Sequence, residues 1–85
     1  MEKLWSDRAW EEYIEWLDTD KKVVGKINSL IKDIERNGML KGEGHPEALK
    51  HRKACSRHIT KGHRLTYNIQ DGKLYLLSCK GHYED

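Results

Sequence analysis

The hydrophobic period changes once along this chain, and that change constrains the fold more than any other feature. From Trp10 to Ile34 apolar residues recur at helical spacing, and from Cys55 onward they alternate. Trp10, Tyr13, Ile14 and Leu17 fall at i, i+3, i+4 and i+7, one stripe of a first helix. Val23, Val24, Ile27, Leu30, Ile31 and Ile34 form the apolar face of a second, with Lys21, Lys22, Lys26 and Lys32 largely elsewhere. Beyond Cys55, Leu65, Tyr67 and Ile69 mark every other position of a strand. A helical half is therefore followed by a strand half.

The punctuation agrees with that division. Leu4-Trp5 reads as a short first strand closed by Ser6, whose hydroxyl can cap the next helix. Asp18-Thr19-Asp20 ends that helix and caps the second, and so short a connection implies an antiparallel helix pair. Asn37-Gly38 stops the second helix, and Gly42, Gly44 and Pro46 make residues 37–46 a loop. Cys55–Thr60 reads as a strand with Lys61-Gly62 at its turn. Asp71-Gly72 marks a type I′ hairpin, whose two central residues both need positive φ, leading into a strand over Lys73–Cys79. The expected fold is α+β, a single domain over residues 1–85 in the order β-α-α-β-β-β, with two helices packed on an antiparallel sheet.

At 85 residues there is room for one small core. Apolar residues make up 36% and charged residues 35%, with three Trp and no Phe, the composition of an ordered globular chain. No apolar run reaches the roughly 20 residues of a membrane span, and Met1-Glu2-Lys3-Leu4-Trp5 has no signal-peptide apolar region. A cytoplasmic protein is expected, with Cys55 and Cys79 as free thiols. Neither C-x-x-C nor H-E-x-x-H spacing occurs, so no metal and no cofactor are expected. Trp10 belongs mostly to the core on its stripe; Trp5 and Trp16 are candidates for partial exposure, with structural packing the favoured reading. An exposed Trp in an acidic half would mark a protein interface, for self-association or for another chain.

The net charge of +2 hides an asymmetry. Residues 1–20 carry seven acids against two bases, a net of −5, and residues 41–64 carry seven bases against two acids, a net of +5. The basic stretch also holds His45, His51, His58 and His63. Such segregation is the footprint of a polyanion-binding surface, its plain alternative being a solvated basic face.

Within and after that stretch lie a carboxylate, Glu47, a guanidinium, Arg64, and the C-terminal pair His82-Tyr83. Cleaving RNA through its own 2′-hydroxyl needs a base for that proton, an acid for the 5′-oxygen and positive charge at the developing phosphorane. Glu47 suits the base, although its basic neighbours would lower its pKa. Arg64 can fork two donors to phosphate oxygens. His82 titrates near neutrality, and Tyr83 can stack on a base or donate its hydroxyl. Each has a plainer reading: a carboxylate complementing exposed amides, a surface salt bridge, an exposed tail histidine, a tyrosine packed over the sheet edge.

Taken in order, the residues resemble a known family. Leu4-Trp5-Ser6 with Trp10, Trp16 with Thr19-Asp20-Lys21, and Lys26-Ile27-Asn28 with Leu30-Ile31-Lys32-Asp33 open the series. Gly42-x-Gly44-x-Pro46-Glu47-x-Leu49-Lys50-His51, Ser56-Arg57, His63-Arg64-Leu65-x-Tyr67, and Cys79 with His82-Tyr83 complete it. The set resembles the YoeB/Txe toxins of the RelE superfamily, ribosome-dependent mRNA endonucleases. The resemblance implies Glu47 as general base, Arg64 as phosphate-stabilising cation, His82 as acid or acid–base partner and Tyr83 as the terminal aromatic of the site. It implies RNA-backbone contacts from Lys50 and Arg57, and His51, Arg52, Lys53 and His63 extend that basic surface. It also implies mRNA and the ribosome as partners, a YefM/Phd-type antitoxin, a possible homodimer, and contact with operator DNA only through the antitoxin, without a membrane. The chain departs from the family in its short Arg52-Lys53-Ala54-Cys55 segment, with Cys55 where Trp is common, and in His58 at the second Arg position. Three readings follow: an endoribonuclease toxin, a binding module on the same fold with catalysis weakened, and a structural antitoxin scaffold or operator accessory.

Overall fold

Two capping side chains organise the helical half. In the computed structural model, which describes residues 1–81, Ser6 Oγ accepts from the Ala9 amide at 3.0 Å and starts α1 (Asp7–Thr19). Asp20 then serves both helices. Its amide donates to the Trp16 carbonyl, closing α1, while its Oδ1 accepts from the Lys22 and Val23 amides and opens α2 (Lys21–Asn37). With one residue between them the helices fold back on each other, and Tyr13 Oη donates to Asn28 Oδ1 at 2.8 Å across the pair. Gly38, at φ 88°, ends α2 by donating to the Ile34 carbonyl.

Among the described residues the strand half forms a sheet in the order β1-β5-β4-β3-β2, from β1 (Glu2–Trp5), β2 (Glu47–Ala48), β3 (Cys55–Thr60), β4 (His63–Gln70) and β5 (Lys73–Ser78). The β4–β5 hairpin turns on Asp71 (φ 52°) and Gly72 (φ 73°), as a type I′ turn requires. The architecture is the expected α+β domain, with two departures. The sheet is mixed rather than wholly antiparallel, because β1 runs parallel to β5. Tight turns impose antiparallel pairing on β3, β4 and β5, but no turn links β1 to its partner. Its direction follows from α1, whose start is tied to the end of β5: the Ser6 amide donates to the Leu76 carbonyl and Ser6 Oγ to the Leu77 carbonyl, both at 2.9 Å. The second departure is β2, a two-residue edge strand antiparallel to β3.

The predicted apolar face of α2 is buried throughout against Cys55, Ile59, Leu65, Tyr67, Leu74 and Leu76 of the sheet. For α1 the expectation reverses. Trp10 is 50% exposed, and Ile14 and Leu17 are also exposed, while Trp16 is 8% exposed. The line that α1 buries is Ala9 and Trp16, two turns apart. A small Ala9 lets the helix approach Cys79, whose Sγ lies 3.6 Å from the Ala9 carbonyl, and the Trp16 indole donates to the Cys79 carbonyl at 2.9 Å. The apolar stripe Trp10-Ile14-Leu17 consequently faces outward. Half-buried Trp5 joins it, with ring centroids 6.0 Å from Trp10 and 4.8 Å from Tyr13. Cys55 and Cys79 are buried free thiols, and burial pushes the Cys79 thiol up to about 12. No helix among the described residues is long and apolar enough to cross a membrane.

Candidate functional site

Strand alternation sorts the basic segment onto two faces. Cys55, Arg57 and Ile59 point toward the helices with Leu65 and Tyr67, while Ser56, His58, Arg64 and Thr66 occupy the opposite face. Glu47 pairs with Ser56, and His58 pairs with Arg64 one step along, so the register brings Glu47 and Arg64 together. Glu47 Oε2 lies 3.6 Å from Arg64 Nη1.

The two arginines differ in how their donors are used. Arg57 is fully buried, and all five of its N–H groups are engaged. Nε donates to Tyr67 Oη at 2.8 Å, Nη1 to Asp33 Oδ2 and the Glu43 carbonyl, and Nη2 to the Gly38 and Lys41 carbonyls. Its neighbours are locked in turn. Tyr67 Oη donates to the Met39 carbonyl at 2.6 Å, and Asp33 Oδ2 accepts from the Glu43 amide at 3.0 Å. The Arg57 hydrogen bond, then that of the Glu43 amide, hold the Asp33 carboxyl below its usual range. Burial pushes the Tyr67 phenol up. Arg57 was expected on the RNA-binding surface, and the structure corrects that: it clamps loop 38–43 onto β3 from beneath. The signal was available, since Arg57 shares a face with Cys55 and Ile59 at period two.

That clamp also accounts for the Gly42-x-Gly44 spacing. A Cβ on Gly42 (φ 114°) would fall 1.9 Å from Asp33 Oδ2. One on Gly44 (φ 81°) would meet Leu30 Cδ2 at 2.9 Å and the His58 carbonyl oxygen at 3.1 Å. The Gly44 carbonyl accepts from the His58 amide at 2.7 Å, which lays the loop along β3 and delivers Pro46-Glu47 to the sheet edge.

Arg64 is held differently. Its side chain is 17% exposed and its Nε is buried without a hydrogen-bond partner among the described residues, while Glu47 is 59% exposed. Ser56 Oγ, Thr66 Oγ1 and Asn68 Oδ1, on the same face, are also buried and unpartnered among the described residues. A guanidinium whose described ion pair is one carboxylate at 3.6 Å retains, among the described residues, donors for an anionic ligand. Lys50, His51, Arg52 and Lys53 are exposed on the short 49–54 loop, which closes on itself through the Leu49 amide and Ala54 carbonyl at 2.9 Å. His58, paired with Arg64, has its ring 5.7 Å from that of His45.

His63, expected among the RNA contacts, is half-buried and engaged within the protein. Its Nδ1 accepts from the Gly81 amide at 2.8 Å, and its ring meets Trp16 edge-on at 4.9 Å. The Gly81 carbonyl accepts from the Arg64 amide at 3.0 Å. His82 and Tyr83 lie outside the described residues, and the chain reaches them from Gly81, beside Arg64.

Comparison with known proteins decides the family. The family described as YoeB-like toxin of bacterial type II toxin-antitoxin system matches residues 5–83. The chain belongs to this YoeB-like toxin family. It is 45% identical to Toxin YoeB of Escherichia coli (strain K12), over 98% of this chain and 100% of that relative. Among solved structures, the YoeB dimer from Staphylococcus aureus superposes with a TM-score of 0.93 at 44% identity, covering 98% of both chains. The YoeB-YefM complex from the same organism superposes at 0.91 and 42% identity, again over 98% of both. The resemblance seen in the ordered motifs is thus a membership, and the fold of the YoeB-like toxins is the fold described above.

Proposed function

We propose that this chain is the toxin of a type II pair and acts as an endoribonuclease on mRNA in the ribosomal A site. The observation that carries the reading is the state of Arg64: a cation that keeps a buried donor without a partner among the described residues, against the exposed carboxylate of Glu47, on the sheet face opposite the core. In this reading Glu47 takes the 2′-hydroxyl proton as the 2′-oxygen bonds to phosphorus. Arg64 neutralises the charge gathering on the phosphoryl oxygens, and the P–O5′ bond breaks as His82 or Tyr83 protonates the leaving oxygen. Base, acid and cation all come from side chains, so the chemical step needs no metal.

The exposed 49–54 loop supports the substrate reading. Lys50, Arg52 and Lys53 present positive charge on an exposed loop that follows Glu47, with His51 among them. Such a surface grips a phosphate backbone but leaves alignment to something else, and the ribosome holds mRNA in a fixed path. The site of action would be the cytoplasm.

Relatives of this fold are solved with YefM and as a dimer, and both partnerships are proposed for this chain. Operator DNA would be reached only through the antitoxin. The outward stripe Trp10-Ile14-Leu17, with Trp5 beside it, is proposed as the surface that meets a second copy.

The test is cleavage of mRNA on programmed ribosomes by the parent chain and by Glu47→Gln and Arg64→Ala. Each substitution should slow cleavage by about 10²–10⁴-fold while leaving the melting temperature in place. Removal of His82-Tyr83-Glu84-Asp85 should do the same. Parent-like rates for both Glu47→Gln and the truncated chain would reject the assignment and favour a binding module.

A further inference from the structure

Leu77 to Gly81 carry the chain from the end of β5 to the last described residue, and side chains of other elements occupy their backbone groups in turn. Ser6 Oγ donates to the Leu77 carbonyl at 2.9 Å. Glu12 Oε1 accepts from the Cys79 amide at 2.8 Å, and the Trp16 indole donates to the Cys79 carbonyl at 2.9 Å. His63 Nδ1 accepts from the Gly81 amide at 2.8 Å, and the Gly81 carbonyl accepts from the Arg64 amide at 3.0 Å. Lys80 pairs with Glu15 at 2.7 Å and lies over the Trp16 ring at 5.4 Å. The Trp16 and His63 rings meet edge-on, so each limits the other's rotation.

A segment that leaves a strand ordinarily finds water for its backbone groups. Here an acid, an indole and an imidazole, from two different elements, are used on a stretch of three residues. What they determine together is where the chain leaves the sheet, and that point adjoins the backbone of Arg64.

We propose that His63 is a positioning residue: with Trp16 and Glu12 it fixes the exit of the C-terminal residues against Arg64. The inference rests on the reading of Glu47, Arg64 and the C-terminal pair as the reacting groups. It assigns His63 no contact with RNA. The Gly81 amide needs a bare acceptor, and Nδ1 of the ring supplies it. Asparagine can imitate this, because its Oδ1 stands at the position of Nδ1, whereas alanine cannot.

The experiment compares the parent with His63→Ala, His63→Asn and Trp16→Phe. It measures kcat and KM for mRNA cleavage on ribosomes, hydrogen exchange at the Gly81 amide, and thermal melting. In His63→Ala, kcat should fall by about 10²-fold, the scale of a small misplacement, with KM unchanged and Gly81 protection lost. His63→Asn should recover most of both. Trp16→Phe keeps a ring in the core but drops the bond to Cys79, and should lower kcat by a smaller factor at unchanged KM. A rise in KM at constant kcat would overturn the proposal in favour of an RNA contact. Equal losses in His63→Ala and His63→Asn with Gly81 still protected would also overturn it. If the parent does not cleave, the nuclease reading fails by itself and the exchange arm still decides: equal Gly81 protection in parent and His63→Ala rejects the anchor.

Discussion

Arg57 and Arg64 stand seven residues apart and define two opposite uses of a guanidinium. Arg57→Ala would orphan three loop carbonyls, Tyr67 Oη and Asp33 Oδ2 at once. Its cost should exceed about 3 kcal/mol, as expected for breaking a buried charged network, and would show as a large drop in the denaturant midpoint. Arg64→Ala should leave that midpoint nearly unchanged while abolishing cleavage. Thr66 supplies a second contrast. Its hydroxyl is buried without a partner among the described residues, so Thr66→Val should raise stability by about 1 kcal/mol; a lower melting temperature would show that the hydroxyl is in fact satisfied. Residue type alone left Glu47 and Arg64 with plainer readings, the family resemblance gave them roles, and their contact came from the strand register. The burial of Arg57 was missed because charge was counted along the segment, whereas strand alternation divides that segment between two faces.

At the scale of elements, the loop clamp predicts acid sensitivity. Asp33 has a folded pKa below its unfolded value, so its contribution is complete above the unfolded pKa and is lost as pH falls through the folded one. Asp33→Asn should flatten the acid limb of a stability-versus-pH curve at the carboxylate end and leave the limb above neutrality alone. An unchanged acid limb would remove Asp33 from the account. The helix α1 makes the other prediction. Trp10→Lys with Ile14→Lys should preserve the fold, since both are exposed, and should shift sedimentation from dimer to monomer. A parent that already sediments as a monomer at high concentration would contradict this use of the stripe. Helix boundaries were readable because Ser6, Asp20 and Gly38 are local signals. The orientation of α1 was not, because its apolar stripe is real but serves the surface, and only contact with Cys79, far along the chain, selects Ala9 and Trp16 for the core. The direction of β1 and the existence of β2 escaped for the same reason: both depend on partners that no turn brings together.

For the whole molecule, the register of β2, β3 and β4 sets Glu47 beside Arg64 on the sheet face opposite the two helices, and Gly81 adjoins the Arg64 backbone. The order of motifs made this grouping legible before any geometry, while the closeness of Glu47 to Arg64 needed the register of β2, β3 and β4. On the proposed reading, the Glu47–Arg64 contact at 3.6 Å and the exposed 49–54 loop belong to a site whose substrate is aligned from outside. The central claim is therefore dependence on the ribosome, and one comparison tests it most directly. The same mRNA, at the same concentration, is offered to the purified chain either on programmed ribosomes or free in solution, and initial cleavage rates are measured. Alignment is worth several kcal/mol, so ribosome-bound mRNA should be cut faster by at least about 10³-fold. Equal rates on both substrates would contradict the account.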